Sequence, residues 1–368
     1  MNTKTVIAAI VVVAIVIIAA VAVVISQPPA SAKKVIYWTQ IAPVQQKANI
    51  ISGTVDGAVG WEPYCSDALN DGTASVVIWS DQVWPEHPCC VIAVKYSNDP
   101  GHPLFLNNET NQQLVARIVK ANMVATNWIV QTINDGSGAN YTSLIQMGAQ
   151  FSGIQASVVQ SALGHIEYSN QLTDGVKHWF ANFTGMFADL GQISNLAGYA
   201  NTTAFANGIT NTSYLAMASD IQPSATILGS VRLGYLNGDL HQFARVVAMN
   251  TSLWGGKTLF QDYGVNVTSP APYANGGAVM DGFASWNIDV GYLGCPPAIL
   301  KRINANIQIQ IISLVNSEGS AIIGKTPIHS LADLEGKIVA TPGPASIQHL
   351  LLLYYCTQNG YTLKLKGT

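Results

Sequence analysis

Three stretches of this chain run from an apolar strand through a tight turn into a helix, and each has the makings of an anion site. The first is RLGYLNGDLHQFARVVAMN, where Asn237, Gly238 and Asp239 precede a helix that opens at Leu240. The second is DVGYLGCPPAILKRIN, where Gly294 and Cys295 come before Pro296 and Pro297, residues suited to first helical positions. The third is KIVATPGPASIQHLLLLYYC, where Gly343 and Pro344 lead into Ala345 and Ser346. A helix N-terminus presents unpaired backbone N–H groups and a partial positive charge. In parallel α/β folds such turns gather at the carboxyl ends of the strands, where ligands collect. Each turn also has a plainer reading as an ordinary helix start.

Other chemistry is thinly represented. There is no G-x-S-x-G elbow, no Walker loop and no His/Cys/Asp/Glu set at metal-ligand spacing, so neither an enzyme nor a cofactor is expected. Five cysteines (Cys65, Cys89, Cys90, Cys295 and Cys356) leave an odd count. Only Cys89 and Cys90 adjoin, and neighbours in a strand point to opposite faces. Buried free thiols are the plain expectation, with one unassigned disulfide as the alternative. The net charge of −3 rules out a strong basic footprint, so nucleic acid is not an expected partner.

The elements that position these turns alternate. Residues 35–39 (VIYWT) read as a strand, 43–52 as a helix closed by Gly53, 55–60 as a strand, 61–72 (WEPYCSDALNDG) as a turn into a short helix and 75–80 as a strand. Such alternation with short connections predicts mostly parallel sheets covered by helices, an α/β class. Residues 114–133 have helical spacing of apolar side chains, and further amphipathic segments follow up to about 190. Residues 191–230, rich in Asn, Thr, Ser, Ala and Gly, read as a linker. Strand–helix alternation resumes at 231–236 and continues through 288–293, 307–315 and 337–340.

Residues 6–25 form an unbroken run of twenty apolar residues, about 30 Å long as a helix, which predicts an N-terminal transmembrane anchor. Ala30-Ser31-Ala32 imitates a signal-peptide cleavage site, so a cleaved leader is the alternative. Residues 27–33 would form a short stalk. Charged residues are 10% of the chain against roughly 25% in ordinary soluble domains. Polarity must then come from amides, hydroxyls and glycans. Sequons at Asn108, Asn140, Asn182, Asn201, Asn211, Asn250 and Asn266 fit an exported, glycosylated domain. The expected location is the cell membrane, with the folded part outside.

GYLGCPPAILKRINA, VNSEGSAIIG, SLADLEGKIVATPGPASIQHLLL and DGAVGWEPY resemble signature stretches of the nitrate/sulfonate/taurine-type solute-binding proteins of ABC transporters, and WPEHPCCVIAV fits the same family. The resemblance covers residues 34–95 and 231–368 and is weak over 135–230. Its order is reversed, since the segment resembling the family's opening lobe comes last. The chain therefore resembles a circular permutant, an arrangement tolerated when the old termini lie close together.

What the resemblance implies is a two-lobed, type II periplasmic-binding-protein-like fold with solute in the interlobe cleft. Residues 34–89 and 325–368 would form lobe II, and 231–324 lobe I. Residues 90–190 would be lobe I's hinge return and helical part. Residues 191–230 would join the ancestral termini, and 1–33 would be anchor and stalk. Strands around 320–324 and 90–96 would act as hinges. The resemblance puts Asn237, Asp239 and His241 near the cleft from the first turn, Gly294 and Cys295 from the second, and Gly343, Ala345, Ser346 and Gln348 from the third. Trp61, Glu62 and Tyr64 would face them. The Ser346 hydroxyl would hold an oxyanion and a protonated His241 would help, whereas Glu62 would repel an anion unless protonated or turned away. Cys295 stands where a small hydroxyl residue or Gly would be expected.

The implied function is capture of a small anion for an ABC permease. The alternatives are binding or synthesis of a thiamine-type pyrimidine, a related branch that uses a cysteine cluster and a sacrificial His, and an extracellular sensor domain. Cys89 and Cys90 beside His87 bring the second to mind.

Overall fold

A computed structural model describes residues 34–96, 105–106 and 108–367. The short apolar runs set off by Gly, Asn and Asp become strands: β1 (Lys34–Gln40), β2 (Gly57–Trp61), β3 (Ala74–Trp79), β4 (Cys90–Lys95), β5 (Ile166–Tyr168), β6 (Gly229–Leu236) and β7 (Val265–Tyr273). They continue with β8 (Val290–Gly294), β9 (Ile309–Leu314), β10 (Asn316–Glu318), β11 (Ser320–Lys325), β12 (Ile338–Thr341) and β13 (Tyr361–Leu365). The α/β class expected from the alternation is what the chain adopts.

One large sheet has the order β13-β1-β12-β2-β11-β3, the other β7-β6-β8-β4-β9, and β10 pairs antiparallel with β5 in a separate two-stranded sheet. In the first, β1 lies parallel between β13 and β12, with Ile36 opposite Leu363 and Tyr37 opposite Ile338. Strands from both ends of the chain thus share one sheet. β11 runs antiparallel to β2 and β3. In the second, β7, β6 and β8 are parallel, and β4 runs antiparallel to β8 and β9. The central strands β2, β4 and β8 are buried at every residue, as strands covered by helices on both faces must be. β7 carries Pro270 and Pro272 and lies at a sheet edge, where a missing N–H costs no ladder bond.

The chain passes between the sheets through the residues before β4 and around β10. These two crossings pair with each other. The Cys89 N–H donates to the Asn316 carbonyl (3.0 Å), the Val315 N–H to Cys90 (2.9 Å) and the Glu318 N–H to His87 (3.1 Å). The hinges expected at 320–324 and 90–96 are instead strands within the two sheets. The crossing lies just before each, where Gly319 (φ 81°) and Glu318 (φ 63°) turn the chain.

The helix Glu109–Asp135 starts at Asn108, whose side chain accepts the Asn111 N–H, and stops at left-handed Gly136. It packs against the second sheet's side, where Tyr292 Oη donates to Asn122 (3.2 Å) in a fully buried pair. Residues 191–230 are not the plain linker their composition suggested. They fold into two short helices, Thr202–Ile209 and Ser213–Ser219, because Phe205, Ala206, Ile209 and Tyr214 have core to pack on. Asn201 caps the first by accepting the Ala204 N–H at 2.8 Å. Asn201→Ala, made in unglycosylated protein, is expected to lower stability by about 1 kcal/mol in a denaturant titration. No change would mean the segment frays independently of the fold.

All five cysteines are free and buried. Among the described residues no helix is long and apolar enough to cross a membrane. The apolar run at 6–25 lies outside the described residues.

Candidate functional site

The sequence's third turn links β12 to the helix Ile347–Gln358. Gly343 holds φ 128°, a conformation that calls for glycine, and a Cβ there would also crowd the Gln40 side-chain amide at 2.8 Å. Ser346 caps the helix by accepting the His349 N–H (3.1 Å), while its hydroxyl donates to the Gly343 carbonyl (2.7 Å). The N–H groups of Ile347 and Gln348 keep no partner within the described chain.

Across from it, after β7, begins the helix Gly276–Ala284. Asn275 caps it by accepting the Ala278 N–H (3.0 Å), which leaves the Gly276 and Gly277 N–H groups free. A Cβ on Gly276 would overlap Pro297, so only glycine lets this turn come so close to the next helix. The two N-termini belong to different sheets and line one cavity of about 310 Å³. Gln40, Asp281 and Lys301 complete its polar wall, Lys301 Nζ lying 2.7 Å from Asp281 Oδ1.

Two smaller spaces adjoin it. One, of about 20 Å³, touches Trp61, Cys89, Cys90, Asp239, His241, Gly294, Ser346 and Gln348. It has room for about one water. The other, of about 290 Å³, lies between Pro43, Gln45, Trp61 and Tyr64 on one side and Asn237, Pro272 and Tyr273 on the other. Trp61 is 4% exposed, lines both, and its indole N–H is buried without a partner. It serves as core and as cleft wall together.

Among the expected contacts, Gly343, Ala345 and Ser346 thus reach the largest of these spaces. Asp239, His241, Gly294 and Gln348 reach the smallest, and Tyr64 and Asn237 the third. Gln348 is committed to Ser320 Oγ (2.9 Å).

Three expectations are corrected, and one left open is decided. Cys295 is fully buried, its N–H donates to the Cys89 carbonyl (2.7 Å) and its thiol to Pro88 (3.4 Å). With prolines at the next two positions, that helix N-terminus has no N–H left for an anion. The first turn is likewise spent. Glu62 O accepts the Leu240 N–H, Asp239 Oδ1 the His241 N–H (2.9 Å) and Asp239 O the Gln242 N–H. The Ser346 hydroxyl donates inward, so only backbone N–H groups remain for a solute there. Glu62 is turned away, its carboxylate accepting the Ser66 N–H (3.0 Å) and hydroxyl (2.6 Å). Burial pushes it up to about 7 even though those bonds favour its charge.

A sequence model of the NMT1-like family matches residues 22–142. No curated protein matches the chain. A solved substrate binding protein from Microbacterium hydrocarbonoxydans, complexed with 4-hydroxybenzoate hydrazide, aligns with 78% of this chain at 11% identity and a TM-score of 0.28. The chain spans about half of that protein's length, 53%.

The NMT1-like segment carries β1 to β4 and, with them, Gln40, Trp61, Tyr64, Cys89 and Cys90. The last two upset the expectation that no metal-type cluster exists. Cys89 lies just before β4 and Cys90 opens it, so the pair escapes strand alternation. Their sulfurs and a His241 ring nitrogen all lie within 4.8 Å of one another, fully buried. Cys89 Sγ is 3.3 Å from His241 Nδ1, and Cys90 Sγ is 3.9 Å from Asp239 Oδ2. Burial opposes charge on His241, but Asp239 and Cys90 more than offset it and hold it up at about 9.

Sequence reasoning missed the Asn275–Gly277 helix start, Lys301, Gln40 and the Cys89–Cys90–His241 cluster. The first had a readable signal, a capping Asn and two glycines ahead of the apolar run AVMDGF. The cluster had none, because its members lie 151 and 152 residues apart in sequence.

Proposed function

We propose that the protein is an extracytoplasmic solute-binding protein that holds a small anion, of the sulfonate, nitrate or taurine type, between its two sheets and delivers it to an ABC permease. One observation carries this reading: two helix starts from opposite sheets meet at a single cavity of about 310 Å³, one lining it with Gly276 and Gly277, whose N–H groups are unpartnered among the described residues, the other with the turn Gly343–Ser346. Each terminus alone is a weak anion site, whereas two facing ones hold a charge only when the lobes come together. The NMT1-like match over residues 22–142 supports the same reading. The apolar run at 6–25 is proposed as the membrane anchor. The shared sheet of β1, β12 and β13 supports a circularly permuted origin.

The synthase-like alternative would put His87 to work. His87 is fully buried, bonded to the Trp84 carbonyl (2.8 Å), and lines none of the three cleft cavities.

Isothermal titration of the full chain with ethanesulfonate, taurine, nitrate and bicarbonate tests the proposal, and saturable binding of at least one is expected. Binding of neutral or cationic amines in place of every anion would sink it. Asp281 adds a prediction. Its carboxylate pairs Lys301 at the cavity wall, so Asp281→Asn should free that ammonium and strengthen ethanesulfonate binding about 3- to 10-fold. Weaker taurine binding in the same variant would assign Asp281 to the taurine ammonium.

A further inference from the structure

We propose that Cys89, Cys90 and His241 form a binding site for one thiophilic divalent cation, Zn²⁺ by preference, at the junction of the two sheets. The distances fit. A tetrahedral ion with bonds of about 2.0–2.3 Å holds its ligands roughly 3.3–3.8 Å apart. Here Cys89 Sγ and His241 Nδ1 are separated by 3.3 Å, and the two sulfurs and a His241 ring nitrogen all lie within 4.8 Å of one another.

The donor types fit as well. Two sulfurs and an imidazole suit Zn²⁺, whereas Ca²⁺ and Mg²⁺ require oxygen. His241 is set in the right tautomer from behind. Its Nε2 lies 2.9 Å from the Gly319 carbonyl, an acceptor only, so Nε2 keeps its proton and Nδ1, which faces the thiols, is the nitrogen whose proton a metal displaces. That approach depends on Gly319, where any Cβ would overlap the ring. Buried thiols in this chain do not all have such company: Cys65, whose thiol lies 4.0 Å from the Ala321 carbonyl, belongs to no such cluster among the described residues.

The ligands and the carbonyl that orients one of them come from three parts of the fold. Cys89 and Cys90 lie on one crossing between the sheets, the Gly319 carbonyl on the other, and His241 in the turn Leu240–Gln242 that follows β6. A cation here would tie the hinge together. Its fourth position would open on the cavity of about 20 Å³, which has space for about one water. Binding releases one proton from each thiol and one from His241 Nδ1 to solvent as the two metal–sulfur bonds and the metal–nitrogen bond form, and the two thiolates balance the charge of Zn²⁺.

The test uses the full chain, reduced and stripped by a chelator, then titrated with Zn²⁺ and separately with Co²⁺. One ion per chain is expected, with a sulfur-to-cobalt charge-transfer band and the intense visible bands of a tetrahedral thiolate site. Cys89→Ser and Cys90→Ser should each weaken Zn²⁺ binding at least about 100-fold and erase the charge-transfer band. Cys65→Ser and Cys356→Ser should change neither. The proposal is overturned if the reduced wild-type chain takes up no Zn²⁺, or if uptake is indifferent to Cys89→Ser and Cys90→Ser. A wild-type Co²⁺ spectrum without the thiolate band overturns it too, and that reading does not depend on any variant folding.

Discussion

Ala345→Leu is expected to weaken anion binding at least about 100-fold, a loss of roughly 2.7 kcal/mol, while the chain stays folded. Ala345 is half-buried in the turn between β12 and the helix Ile347–Gln358 and lines the cavity of about 310 Å³. A leucine side chain there would fill the gap toward Gly276 and Gly277, so that the facing N–H groups could no longer reach one solute. The position is outside the close-packed core, which limits the cost to stability. Titration of a bound sulfonate or nitrate, beside a thermal melt, checks both halves. Undiminished affinity in a folded variant would remove this helix N-terminus from the site.

Glu62→Gln should flatten the pH dependence of stability below neutrality. The Glu62 carboxyl is fully buried, and burial raises it from 4.5 to about 7. Below pH 4.5 both folded and unfolded chains hold the proton, and Glu62 adds no pH dependence. As pH rises from there, the unfolded chain releases its proton first, so folding loses stability until the folded group also ionises near 7. The full loss is on the order of 3 kcal/mol. Glutamine has no proton to release and still offers the Ser66 hydroxyl an acceptor. Melting temperatures at pH 4.5 and 6.5 should therefore diverge in the wild type more than in the variant. This window lies mostly below the range in which His241, held up at about 9, releases its proton. Equal slopes in the two proteins would mean that Glu62 is ionised in the fold throughout.

These two residues illustrate what could be read in advance. Ala345 was legible because the motif TPGPAS joins a strand to a helix, and that local signal fixes where the backbone N–H groups point. Glu62 was legible only by neighbourhood. Its place after Gly60 and Trp61 put it at the cleft rim, but its direction follows from Ser66, one helical turn on, which draws the carboxylate inward. The same limit explains Cys295. The sequence shows a helix start with two prolines, yet only the fold brings the Cys89 carbonyl onto its remaining N–H.

By itself, the sequence determined the elements. Runs of β-branched and aromatic residues, capping Asn and Ser residues, and glycines at turns act over a few neighbours, so strands such as β1, β6 and β8 and the long helix Glu109–Asp135 could be placed from local patterns. Tertiary structure decided what is shared between distant residues: the pairing of β1 with β13, the meeting of Gly276 with the Ser346 turn, and the gathering of Cys89, Cys90 and His241. Those contacts depend on how two sheets stack and on which donors are left over once each helix start has been capped. That remainder is a property of the whole chain's packing, and no short stretch of it carries the information.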